Sequence, residues 1–279
     1  MFLEFAPNPG RLRRVSFFTH ILKIPRSLLV RLREERTQTR YRVGPDFPLM
    51  ATVSLPGINR ATREARGDNG RDWDGRVRDV SAYGLSLHLP AKAAVTRNEN
   101  ATVRFVVEGR KLDIPCTVAH FRALPAYVHC GLRLEFPGFP QQRAWLQIVE
   151  AVGFGACFAP VAGRRAPRPA LGLTRRQWRS LRQARLTEWR ETGTRQLDRF
   201  ELVLEDYRFE GRNGESGLSI RSDASGRAAM PDVEVELHQL FLWVLANFPA
   251  SVPADLKAFM RLTAITLASP SEHRTRGPF

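Results

Sequence analysis

Between Phe47 and Phe136 the sequence alternates between apolar and polar positions, and this constrains the fold more than any other feature of the chain. Val103, Phe105 and Val107 are separated by Arg104 and Val106; Cys130, Leu132, Leu134 and Phe136 are separated by Gly131, Arg133 and Glu135. A period of two sends successive side chains to opposite faces of an extended strand, so a chain with this pattern must bury one face of a sheet. The pattern recurs over about 47–55, 73–79, 83–89, 101–108, 111–121 and 128–136, with glycine, proline and asparagine between segments. Six short antiparallel strands in such close succession predict a small barrel or sandwich. The run that follows, QQRAWLQIVEAV, changes period: Trp145, Ile148 and Val149 fall at i, i+3 and i+4, as in a helix that covers one end of the sheet.

The remainder divides around this unit. Residues 1–35 read as a basic N-terminal segment, expected to be amphipathic and helical from residue 11 and divided at Pro25, with Leu28, Leu29 and Leu32 among Arg26, Arg31 and Arg33. The barrel unit spans 36–153, and the proline- and arginine-rich stretch 154–172 reads as a linker. A second, α+β domain is expected over 173–268, before a polar tail at 269–279. In it, Thr174 and Gln177 suggest a capping box opening a helix with Trp178, Leu181, Leu186 and Trp189 on one broad face, ended by Gly193. A hairpin is expected around Asn213–Gly214, with Glu205–Asp206 on a solvated strand edge. Helices are expected over about 233–247 and 254–267.

The 279 residues carry a formal charge of +15, and all but four of the 43 basic residues are arginine. Guanidinium forks suit phosphate oxygens and the acceptor edge of guanine, so the charge points to an anionic partner without naming it. Three cysteines, Cys116, Cys130 and Cys157, are too few and too scattered for a disulfide framework or a zinc knuckle, and fit a reducing cytoplasm. No apolar run is long enough to span a bilayer, and the early VSFFTHILKIP is broken by His20 and Lys23, which argues against a signal peptide.

Two short motifs carry chemistry. RTQTRYRVG places Arg36 and Arg40 as R-x-x-x-R with Arg42 close behind, and Asp79-Val80-Ser81-Ala82-Tyr83-Gly84 reads as D-x-S-x-x-G. With the strand count that follows, and with CGLRLEF at 130–136 ahead of a terminal helix, residues 36–153 resemble the PilZ family of bacterial cyclic di-GMP receptors. The resemblance implies a six-stranded antiparallel β-barrel with a capping helix. It also implies a ligand site in which Arg36 and Arg40 clasp phosphates and guanine edges, Arg42 contributes, Asp79 and Ser81 hold a guanine, and Gly84 keeps backbone bulk away at the bend. Two departures stand out. GINRATREARGDNG lengthens the gap between the motifs, and Arg42 before Val43 fills the second arginine's place as well as Arg40 before Tyr41 does, which would put Gln38 in the first.

The chemistry agrees with the resemblance. Cyclic di-GMP presents two phosphates and, on each guanine, O6 and N7 acceptors opposite N1 and N2 donors; arginines answer the first set and a carboxylate with a hydroxyl the second. Taken singly, each motif has a plainer reading: Asp79, Ser81 and Gly84 as a tight turn, and the arginines as the end of a solvated helix. His120 and His129 lie near each other with no third metal ligand evident, and the adjacent Cys130 would point to the opposite face. GESG at 214–217 lacks the spacing of a hydrolase elbow, and no Walker-type phosphate loop occurs. The expectation is a cytoplasmic, non-catalytic receptor needing no cofactor or metal. It would signal to its second domain or to a protein partner, and touch the inner membrane through residues 11–35. The alternatives are an interaction adaptor of the same fold that binds no nucleotide, and a nucleic-acid-binding protein, the latter not expected because neither a recognition helix nor an aromatic strand platform is evident.

Overall fold

The computed structural model describes residue 18 and residues 39–55, 71–161, 172–181 and 184–266. Arg36, the insertion after the first long strand, all of the N-terminal segment except Phe18, and the tail lie outside the described residues.

The alternating region forms a closed barrel. Strands β2 (Leu49–Leu55), β3 (Arg71–Ser81), β4 (Gly84–Pro90), β5 (Asn100–Val107), β6 (Arg110–Ala123) and β7 (Tyr127–Leu134) pair antiparallel in the order β3-β2-β5-β6-β7-β4, and β4 returns to β3. A two-residue strand, β1 (Tyr41–Arg42), pairs with β3 ahead of the barrel. The inward set is the one the alternation selects: Val53, Leu85, Leu87, Val103, Phe105, Val107, Ile114, Val118 and Cys130 are fully buried. Helix α1 (Phe139–Ala156), opened by Gly138 with a proline in its first turn, closes one end. Its Trp145 is fully buried, with its ring 4.7 Å from that of Phe105 and its indole N–H donating to the Ser81 carbonyl at 2.9 Å.

The second region is a meander sheet backed by two helices. Strands β8 (Ala159–Pro160), β9 (Leu173–Arg179), β10 (Arg185–Glu191), β11 (Leu197–Leu204), β12 (Tyr207–Arg212) and β13 (Ser219–Ser222) lie in sequence order across the sheet. They are followed by α2 (Pro231–Ala246) and α3 (Ala254–Thr266).

The helix expected from Thr174 is instead the β9–β10 hairpin. Trp178 and Leu186, read as one helical face, are opposed across the ladder and both buried, whereas Trp189 lies on the other face beneath Arg175 and Arg199. The Thr174 hydroxyl caps nothing and donates to the Arg190 carbonyl. Sequence from 174 to 190 is rich in helix-favouring Arg, Gln, Leu and Glu, and cross-strand pairing overrides that local preference. Glu205–Asp206 is likewise not a strand edge but the two-residue turn between β11 and β12, with Glu205 at φ 51°. Asn213–Gly214 lies in the longer connection that follows β12, which itself pairs with β13.

The two regions share one core. Phe18 is fully buried against Trp243 of α2 (ring centroids 5.1 Å), Phe47 meets the same indole at 5.4 Å, and the Gln147 side chain on α1 hydrogen-bonds both the N–H and the C=O of Phe18. Glu108, in the β5–β6 turn, accepts from the Trp243 indole at 2.8 Å and from the Gln239 amide. Glycines let backbones meet here: a Cβ on Gly44 would stand 2.1 Å from the Ala246 carbonyl oxygen, and one on Gly155 would stand 2.4 Å from that of Val244. The Gly44 N–H donates to Asn247 Oδ1, and Asn247 Nδ2 donates to the Trp243 carbonyl. No helix among the described residues is long and apolar enough to cross a membrane.

Candidate functional site

The two motifs meet at Asp79. The residue emerges where β3 carries a bulge: Val77 faces Leu87 and Asp79 faces Ser86, leaving Arg78 as the extra residue. A bulge turns side chains out of the regular pleat. Here it leaves the Asp79 carboxylate on the outer surface with both oxygens engaged. Arg40 donates to Oδ1 at 2.9 Å, and the buried Ser86 hydroxyl donates to Oδ2. The Arg40 side chain is 51% exposed and that of Asp79 29%, so this pair faces solvent and is open to a ligand from the outside.

The arm is positioned by backbone pairing. β1 sets Tyr41 opposite Val80 and Arg42 opposite Asp79, and the Val43 N–H donates to the Arg78 carbonyl at 2.9 Å. Arg40 and Arg42 are both exposed; it is Arg40 whose guanidinium reaches the carboxylate.

Ser81 and Gly84 face each other across the β3–β4 turn. The Ser81 hydroxyl is buried and donates to the Gly84 carbonyl at 3.1 Å, closing the turn over Ala82–Tyr83, while its own carbonyl takes the Trp145 indole N–H. Gly84 is required by strand proximity, since a Cβ there would lie 2.8 Å from the Leu132 carbonyl oxygen; its φ is not in the left-handed region. Asp79 is thus the outward-facing polar member of the motif, with Ser81 and Gly84 shaping the turn that presents it.

Sequence reasoning missed Ser86. It is the polar residue between Leu85 and Leu87 on β4, which marks it as outward-facing, but its partner is fixed only by the β3–β4 register. A row of rings beside the site was also hidden. His88 on β4 stacks on Tyr127 at 3.8 Å, His129 lies 5.5 Å from His88, and His120 lies 5.7 Å from His129. Histidine pairing was expected; the third member was not, because it comes from a strand distant in sequence. The described residues contain no cluster of three or more His, Cys, Asp or Glu side chains able to hold a metal ion. Burial and the neighbouring Arg78 lower the proton affinity of His88; burial and then His129 lower that of His120, where Asp79 opposes the trend.

A cavity of about 560 Å³ lies apart from these groups on the outer face of the C-terminal sheet, where Arg199, Arg212 and Arg221 are offset by Glu201, Glu210 and Glu215.

Fold and surface together define a helix-plugged antiparallel barrel that presents an arginine–carboxylate pair at the mouth of a bulged hairpin. Residues 34–151 match the PilZ domain family, and the chain carries a PilZ domain there. Among solved structures, the chain is similar to the PilZ domain of CeSA from a cellulose-synthesizing bacterium (15% identity, TM-score 0.30, covering 41% of this chain and 97% of that one). It is also similar to the PilZ domain of YcgR from Escherichia coli with c-di-GMP (12%, 0.33, 42% and 91%) and to the K. pneumonia MrkH–c-di-GMP complex (14%, 0.32, 42% and 51%). At these scores they add nothing to the family match. No curated protein matches the chain.

Proposed function

We propose that this protein is a receptor for cyclic di-GMP that binds the dinucleotide between its arginine arm and Asp79 and transmits occupancy to its C-terminal region. The observation that carries this reading is the Arg40–Asp79 pair, held by Ser86 inside the PilZ domain.

The pair has the capacity the ligand needs. Arg40 spends one of its five donors on Asp79, leaving others for a phosphate or for guanine O6 and N7. Each carboxylate oxygen has two acceptor sites, so Asp79 can accept from guanine N1 or N2 while Ser86 keeps its orientation. Arg36 and Arg42 add positive charge to the same arm. Charge-assisted contacts of about 1.5–3 kcal/mol each, made several times, offset the ordering cost of about 1–2 kcal/mol per arm residue.

Two connections lead from the site to the second region. Along the chain, Arg40 is four residues from Gly44, whose amide is held by Asn247. Through the barrel, the Ser81 carbonyl holds Trp145 of α1, and α1 packs on α2. A ligand that draws the arm onto β3 therefore pulls on the residues that seat α2.

A second reading is favoured by the same geometry: Arg40 already has a carboxylate partner, as a PilZ-fold interaction adaptor without nucleotide would require. Thermal melting separates the two. A receptor melts at a higher temperature in saturating cyclic di-GMP and not in equal GMP; an adaptor is unmoved by either.

A further inference from the structure

Register across four strands sets Asp79 (β3) opposite Ser86 (β4), Ser86 opposite Gly131 (β7), and Gly131 opposite His120 (β6). These positions form one transverse row on the outer face of the barrel. Gly131 has no side chain, and the His120 ring fills that space: a Cβ at 131 would lie 2.0 Å from the imidazole Cε1 and within 2.6 Å of both ring nitrogens. His120 lies in the row because β6 carries its own bulge between Val118 and His120. Were β6 regular there, Ala119 would take the place of the ring opposite Gly131.

We propose that His120 is a ligand-contacting residue of the nucleotide site, an imidazole that forms its wall opposite Arg40 and takes a proton as the dinucleotide phosphates arrive, so that affinity rises as pH falls. This rests on the receptor reading above. The charged and titratable groups whose fields reach His120 are Arg40 from the arm, Asp79 from β3, Arg97 from the β4–β5 connection and His129 from β7, while Gly131 lies opposite it in register. Of these, Arg40, Arg97 and His129 oppose a second positive charge, and Asp79 alone favours it. Burial first, and these opposing charges after it, lower the ring's proton affinity in the empty site. Two phosphodiester charges reverse that balance and convert the ring into a donor from both nitrogens. Proton and ligand then promote each other's binding by the same factor.

His88, at the far end of the ring row, is stacked on Tyr127 and serves as the control. Neither arginine nor a phosphodiester titrates between about pH 5.5 and 7.5, whereas histidine does. Calorimetric titration of cyclic di-GMP into the full chain should give wild-type binding roughly three- to tenfold tighter at the acid end of that window. His120→Gln should bind with a flat pH profile and, at the acid end, a weakening of the same size, while His88→Gln keeps the wild-type slope. A His120→Gln variant with the wild-type slope, or a flat wild type, overturns this inference and leaves the receptor reading standing. Absence of wild-type binding at every pH overturns both.

Discussion

The Gly44 amide donates to Asn247 Oδ1 at 2.7 Å, so the backbone just beyond the arginine arm is fastened to the C-terminal end of α2. Asn247 is 4% exposed and also donates to the Trp243 carbonyl, one turn back on its own helix. One side chain therefore holds together the strand leading from the site, the end of α2 and, through the close approach of Gly155, the end of α1.

Replacing Asn247 with Ala leaves the Gly44 N–H without its acceptor in a part-buried setting, a loss of about 1–3 kcal/mol. The urea midpoint should fall accordingly. Gly44→Ala is expected to be worse, because its Cβ would meet the Ala246 carbonyl oxygen and the two backbones must separate; limited proteolysis should then cut between barrel and second region far faster than in the wild type.

Arg40→Ala and Ser86→Ala should act differently. The Arg40 pair is exposed, so its removal changes stability by less than about 1 kcal/mol while weakening cyclic di-GMP binding. Ser86 is buried, and losing its hydroxyl leaves Asp79 Oδ2 without that donor; a loss of about 1–2 kcal/mol is expected together with weaker binding. Chemical denaturation alongside ligand titration distinguishes the two patterns.

Trp145→Phe keeps the stacking on Phe105 and deletes the donor to the Ser81 carbonyl. The expected cost is about 1–3 kcal/mol, since that carbonyl is enclosed by the turn and the helix. A variant as stable as the wild type in urea would show that α1 does not hold the turn.

Burial pushes the thiols of Cys116 and Cys130 up to about 12. A raised value in the folded state means folding favours the neutral thiol. The contribution is complete below the unfolded thiol's pKa of about 8.5 and declines above it, at up to about 1.4 kcal/mol per pH unit for each thiol. Stability measured in urea should therefore fall from about pH 9 upward, and a Cys116→Ala, Cys130→Ala pair of substitutions should flatten that decline.

How far the sequence discloses this molecule depends on whether a feature is local. The barrel strands are legible because alternation is a property of neighbouring residues, and the helices at 139–156, 231–246 and 254–266 are legible for the same reason. Asp79 and Arg40 are found through spaced motifs. The β9–β10 hairpin is not, because Arg175 to Arg190 has Thr187 as its single β-branched residue and no turn glycine to announce strands, and its pairing of Trp178 with Leu186 exists only once the ladder forms. Ser86 and His120 join the site through register and two bulges, which no local pattern encodes. What Ser81 and Gly84 pack against is hidden for a related reason. Their side-chain positions face the turn and the β7 backbone, and only the closed barrel reveals it.

The most direct measurement is titration calorimetry of cyclic di-GMP into folded wild-type protein and into Arg40→Ala at one pH and one salt concentration. Saturable heat for the wild type, with affinity reduced roughly tenfold or more in the variant, is the predicted result. Equal affinity in both, or no saturable heat from the wild type, would contradict the claim that Arg40 and Asp79 form the nucleotide site.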